Sequence, residues 1–200
     1  MVTFFWKGCQ ICIGFSCFAL LSFCCLFLGA GSSAFFLAAA AFHEVSHIAV
    51  LFWMGAPPAL LKFTALGCRM VPNQERVLSY RQMAAVSLAG PGMNSICALV
   101  LALLGQETHP FFTANLVLGI LHSLPVEPLD GGMALHALLC GHVKEDLAAR
   151  ITLIVSLALL MPMAVLGFVI LLRTRYNFTL LAMSLYLMLY LVLKRDYFTG

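Results

Sequence analysis

Six stretches of this chain, all but the last at least twenty residues long and all nearly free of charge, limit what it can become. They cover about 11–30, 34–54, 83–104, 111–140, 151–172 and 178–193. A helix of about 20 apolar residues crosses the hydrocarbon of a bilayer, so each stretch reads as a membrane span. Composition closes off the soluble alternative. The 200 residues are 62% hydrophobic and only 10% charged, whereas a soluble domain carries about 25%. Too little charge remains to cover a surface facing water. The expected fold is an all-α polytopic membrane protein with about six transmembrane helices, forming a single membrane-embedded domain over 1–200.

The charges that do occur lie at the edges of the apolar segments, so they bear on topology. A net charge of +3 gives no reason to expect a nucleic-acid partner. Cytoplasmic loops retain Lys and Arg. With the N-terminus inside, Lys7, Lys62, Arg69, Arg76, Arg81, Lys144, Arg150, Lys194 and Arg195 fall on that side, and only Arg173 and Arg175 fall outside. Both termini are therefore expected in the cytoplasm. Lys7 and the apolar run after it resemble a signal peptide, but the run continues to about Ala30 without a clear cleavage site. It reads as a retained first span.

The segment 58–72 is too short to cross and too apolar for a loop. A short membrane-associated hairpin between the second and third spans fits it, since non-helical backbone at that depth needs protein or a wet cavity around it. The chain has eight cysteines. Cys9 and Cys12 have CxxC spacing, yet no second pair or nearby histidine completes a site, so they read as free, packed side chains.

Chemistry concentrates in the second span, at His43-Glu44-Val45-Ser46-His47. Histidines four residues apart share one helical face and can reach one Zn²⁺, and the glutamate beside the first can act on the attacking water. Six histidines in 200 residues make an HExxH by chance roughly 0.004 times. Three ionisable groups in the middle of a span are also costly without a partner. A hydrolytic zinc site needs a third protein ligand. Span four supplies a candidate in Leu124-Pro125-Val126-Glu127-Pro128-Leu129-Asp130-Gly131-Gly132, where prolines and paired glycines break the helix and let an acid turn inward. Asp130 is the only aspartate in the first four spans. Glu127, in the same break, reads as a solvated carboxylate. His109, His136 and His142 lie at loop or span ends and read as surface or packing residues.

His43-Glu44-Val45-Ser46-His47 followed by Pro128-Leu129-Asp130-Gly131-Gly132, with Ala89-Gly90-Pro91 and Asn94 between them, resembles the site-2 protease family of intramembrane metalloproteases. The similarity covers about 34–140, that family's catalytic core. The six-span layout, with no room for a PDZ or CBS domain, is most similar to the sporulation factor IVB-type branch. The resemblance implies one Zn²⁺ per chain held by His43, His47 and Asp130, with Glu44 as general base. It implies a metalloendopeptidase of a bacterial cell membrane that cleaves membrane-associated substrates within or near a transmembrane segment. A membrane protein or peptide substrate, the lipid bilayer and a regulatory membrane protein are the implied partners. Substrate contacts are expected from His122, which stands where family members commonly have Asn, from Asn94, and from Gly67 in the hairpin; an interfacial, water-facing place for His122 and a helix–helix hydrogen bond for Asn94 are the equal alternatives. The alternative is a catalytically silent membrane metal-binding relative acting in interaction or metal handling.

Overall fold

The computed structural model describes residues 2–6, 9–15, 30–64, 67–72 and 77–198. The chain divides into two compact units, Met1–His122 and Ser123–Gly200, and each is taken by itself.

The first unit combines a sheet with apolar helices. Strands β1 (Val2–Trp6), β2 (Cys9–Ile13), β3 (Pro58–Thr64) and β4 (Gly67–Pro72) form one four-stranded sheet in that order. The β1–β2 and β3–β4 pairs are antiparallel, and β2 runs parallel to β3 with Gln10 opposite Leu60. Two expectations change here. The protein is mostly helical but not all-α, and the hairpin at 58–72 is half of a sheet. The start of the expected first span, Ile11–Ile13, is strand; residues 16–29 of that span lie outside the described residues. Alternation along a strand puts positions i and i+3 on opposite faces, so Cys9 and Cys12 cannot act as a CxxC pair. Burial pushes the Cys9 thiol up, which keeps it protonated and unreactive.

Helices α1 (Ala30–Trp53), α2 (Tyr80–Leu103) and α3 (Pro110–Ser123) complete the unit. Helix α2 starts at a capping box. Ser79 Oγ accepts from the Gln82 N–H, and Gln82 Oε1 accepts from the Ser79 N–H, so two otherwise unpaired donors are satisfied. On α1 the buried positions Ser33, Ala39, His43, Ser46, His47 and Leu51 form one stripe, while Phe42, Val45, Phe52 and Trp53 are exposed. Ala39 meets Ala114 and Leu118 of α3 in a small apolar cluster. Small and polar residues face inward and large apolar ones outward, as suits helices that pack in lipid.

The second unit holds α4 (Asp130–Cys140), α5 (Glu145–Thr174) and α6 (Thr179–Phe198). Its core is Val126, Leu160, Leu187 and Leu191. The expected long fourth span is thus two helices, α3 and α4, separated at the prolines. Among the described residues, Ser33–Trp53, Tyr80–Leu103 and Glu145–Thr174 are long and apolar enough to cross a membrane, and Pro110–Ser123 and Thr179–Leu193 are apolar but shorter.

Candidate metal centre

The helical repeat brings His43 and His47 to one face of α1, where they are 4% and 6% exposed. Their rings stand edge to face with centroids 4.8 Å apart, and their Nε2 atoms are separated by 3.2 Å. What holds the far side of each ring decides what those nitrogens can do. His47 Nδ1 lies 2.7 Å from the carbonyl oxygen of Val86, and His43 Nδ1 lies 2.5 Å from Asn94 Oδ1. Both partners are oxygens that can only accept, so both Nδ1 atoms carry hydrogen. In the neutral rings the two Nε2 lone pairs then point into the same small space. Such an arrangement is unfavourable alone and favourable around a cation, and Nδ1–H bonded to a carbonyl is the usual support of a metal-ligating histidine.

A glycine lies against both rings. A Cβ on Gly90 of α2 would lie 2.6 Å from His43 Nε2 and closer still to His47 Nε2. The two rings press directly on the Gly90 backbone, so any side chain at that position would displace both nitrogens. Nitrogen donors at this spacing, on rings so held, fit zinc. Along α1 the pair sits about 15 Å and 9 Å from Trp53, at 1.5 Å per residue. Trp53 is an exposed aromatic at the sheet end of the helix, where an interfacial Trp is expected.

The other expected site residues fall as follows. Glu44 is half-buried on α1. His122, in the last turn of α3, packs its ring against His43 with centroids 4.5 Å apart. Asn94 is fully buried and hydrogen-bonded to His43, Ala39 and Asn115. These bonds join Asn94 to α1 and α3. Gly67 opens β4, paired with Thr64 across the hairpin, and β4 is an outer strand of the sheet. His109 closes the loop before α3 by accepting from the Phe111 N–H, and His142 bonds the Leu138 carbonyl on α4. The surface or packing role expected of them is met by His109 in the loop and by His142 at the exposed end of α4.

In the second unit Asp130 is the first residue of α4. The loop before it is tightly built. Glu127 is buried rather than solvated, and its N–H donates to Ser156 Oγ of α5 at 3.0 Å; that hydroxyl in turn donates to the Thr152 carbonyl. The Glu127–Pro128 peptide is cis. Gly131 and Gly132 lie against loop backbone: a Cβ on Gly132 would overlap the Val126 carbonyl and the Glu127 nitrogen, and one on Gly131 the Ser123 and Leu124 carbonyls. Backbone on both sides leaves no flexible atom to move. Gly132→Ala should therefore lower stability by about 1–3 kcal/mol, the usual range for overpacking. Thermal unfolding in detergent measures it, and an unchanged midpoint would contradict this packing.

With this geometry in hand, comparison with solved structures returns "Site-2 Protease from Methanocaldococcus jannaschii" at a TM-score of 0.66 and 18% identity, covering 93% of this chain and 91% of that one. The chain has the site-2 protease fold. No protein-family model and no curated protein matches the sequence. The site-2 protease fold agrees with the order of motifs in the sequence. At this identity the likeness speaks to the fold, and function has to be argued from the site.

Three contributors to the site were not singled out by sequence reasoning: Gly90, whose backbone lies against both histidine rings, the Val86 carbonyl, and Asn115. Gly90 was marked only as part of Ala89-Gly90-Pro91. A polar Asn115 inside an apolar helix was the available signal for the third, because such residues usually bond across helices.

Proposed function

We propose that this protein is an intramembrane zinc-dependent endopeptidase acting on membrane-associated substrates. The observation that supports it most is the convergence of the His43 and His47 Nε2 atoms, 3.2 Å apart, against the Gly90 backbone. His43, His47 and Asp130 are a donor set that could hold a metal ion, and three protein ligands leave one position for chemistry. Bound there, Zn²⁺ supplies a Lewis acid for the scissile carbonyl and lowers the pKa of a coordinated water.

The chain's own groups supply the rest. Glu44 takes the proton of the attacking water and returns it to the leaving amine. His122, beside His43, offers a ring N–H to the substrate carbonyl. A helical substrate has its carbonyls engaged, so it must unwind before attack. The outer strand β4 can pair with the unwound segment, main chain to main chain. Lys62, Arg69, Arg76 and Arg81 follow α1 or begin α2, which puts the sheet end of the site toward the cytoplasm by the charge rule and shortens the path for water. The full set of spans and the cytoplasmic placement of both termini belong to this reading.

Purified in detergent, the wild type should contain about one zinc per chain and cleave a single-span membrane substrate, with cleavage lost on chelation and regained with zinc. A folded protein with no zinc would overturn the reading.

A further inference from the structure

The orientation of His43 traces back to two backbone carbonyls. A carbonyl oxygen only accepts, so the Phe111 oxygen, 2.8 Å from the Asn115 amide, must face its Nδ2. The other arm of that amide, Oδ1, is then turned to Asn94 and accepts from its Nδ2 at 2.9 Å. The second hydrogen of the same Nδ2 goes to the Ala39 oxygen at 3.2 Å. Both hydrogens of Asn94 are engaged, and its Oδ1 is presented to His43 Nδ1. An oxygen there requires the hydrogen on Nδ1 and leaves the lone pair on Nε2. Asn94 and Asn115 are each 0% exposed, so water offers neither amide an alternative partner. Turning either amide over would set N–H against N–H or oxygen against oxygen.

We propose that Asn115, acting through Asn94, is a positioning residue that fixes His43 as the Nδ1–H tautomer and so directs Nε2 at the metal. It touches neither metal nor substrate. The inference deepens the zinc reading and rests on it only for its effect on affinity; the tautomer itself is a property of the protein with or without metal. Asn115→Ala removes the shorter of the two contacts that order Asn94 and leaves its amide to the Ala39 oxygen alone. Asn115→Asp, held neutral by its burial, donates its O–H to the Phe111 carbonyl and keeps an oxygen facing Asn94.

The test is ¹⁵N-histidine NMR of the whole protein in detergent, with zinc affinity measured by competition against a chelator. In the wild type His43 should be protonated at Nδ1. In Asn115→Ala its resonances should show both tautomers, and zinc affinity should fall about 10-fold, the lower end for loss of a ligand-orienting partner. Asn115→Asp should restore both. A wild-type His43 protonated at Nε2 would overturn the proposal, as would an Asn115→Ala spectrum and affinity identical to wild type. Equal loss in both variants would also overturn it, because it would mean packing alone. Should Asn115→Ala fail to fold, the wild-type tautomer decides. A wild type with the expected tautomer but no zinc would support the relay and refute the protease reading, so the two failures are distinguishable.

Discussion

Gly90→Ala should empty the metal site and leave the protein folded. The methyl group would enter the position between the two Nε2 atoms, 2.6 Å or less from each. Such contacts are resolved by whatever moves most easily, and here that is the far ends of two imidazoles rather than backbone. The rings would swing away, at the cost of their Nδ1 hydrogen bonds to Asn94 and the Val86 carbonyl. Ala in a helix interior also gains about 1 kcal/mol over Gly, which offsets some of the lost packing. The result would be zinc content falling from about one per chain to near none, with the metal-free protein still folded and only moderately less stable. Zinc binding retained at wild-type affinity would show that the metal does not sit where the two Nε2 atoms converge. A glycine is often explained by its backbone freedom; this one is explained by the volume it does not occupy.

Glu44→Gln should separate metal binding from catalysis. Gln is nearly isosteric with Glu but cannot take a proton from water. Its neighbours His43 and His47 keep their Nδ1 partners on α2, which the substitution does not touch. Zinc content should stay at about one per chain while cleavage falls by about 10²–10⁴-fold, the usual contribution of a general base. Wild-type rates in Glu44→Gln would remove Glu44 from the mechanism. Loss of zinc along with cleavage would give it a structural task at the metal instead.

What could be read from the sequence was what depends on near neighbours. The shared face of His43 and His47 follows from four-residue spacing alone. The break between α3 and α4 follows from Pro125, Pro128 and the paired glycines, whose effects are local. Helix α2 begins three residues before the expected start, at a Ser79–Gln82 capping box present in the sequence. Strands β1 and β2 were not legible. Cys9–Ile13 is a short apolar run leading into a longer one, and such a run suits helix or strand equally. Only β3, about fifty positions later, decides for strand. Glu127 misled for the same reason: a carboxylate flanked by proline looks solvated until Ser156 of α5 is placed against it. Asn94 and Asn115 look like isolated polar residues in apolar helices, and their connection exists only once α1, α2 and α3 are together.

The parallel seam of the sheet has a consequence for how the chain assembles. Trp6 pairs with Cys9 and Thr64 with Gly67, so each antiparallel half closes over two intervening residues and can form as soon as it is synthesised. Gln10 meets Leu60 only across a loop that contains all of α1. Such closure carries an entropic cost that grows as about (3/2)RT ln n, and it requires both ends of the loop to be delivered to the same place. Insertion of the HExxH helix must come first. A nascent chain in which that helix has stalled carries two bare inner edges, on β2 and β3, of the kind that invites pairing with other chains. Joining those edges conceals that signal, so the seam marks the proteins whose HExxH helix has reached its place.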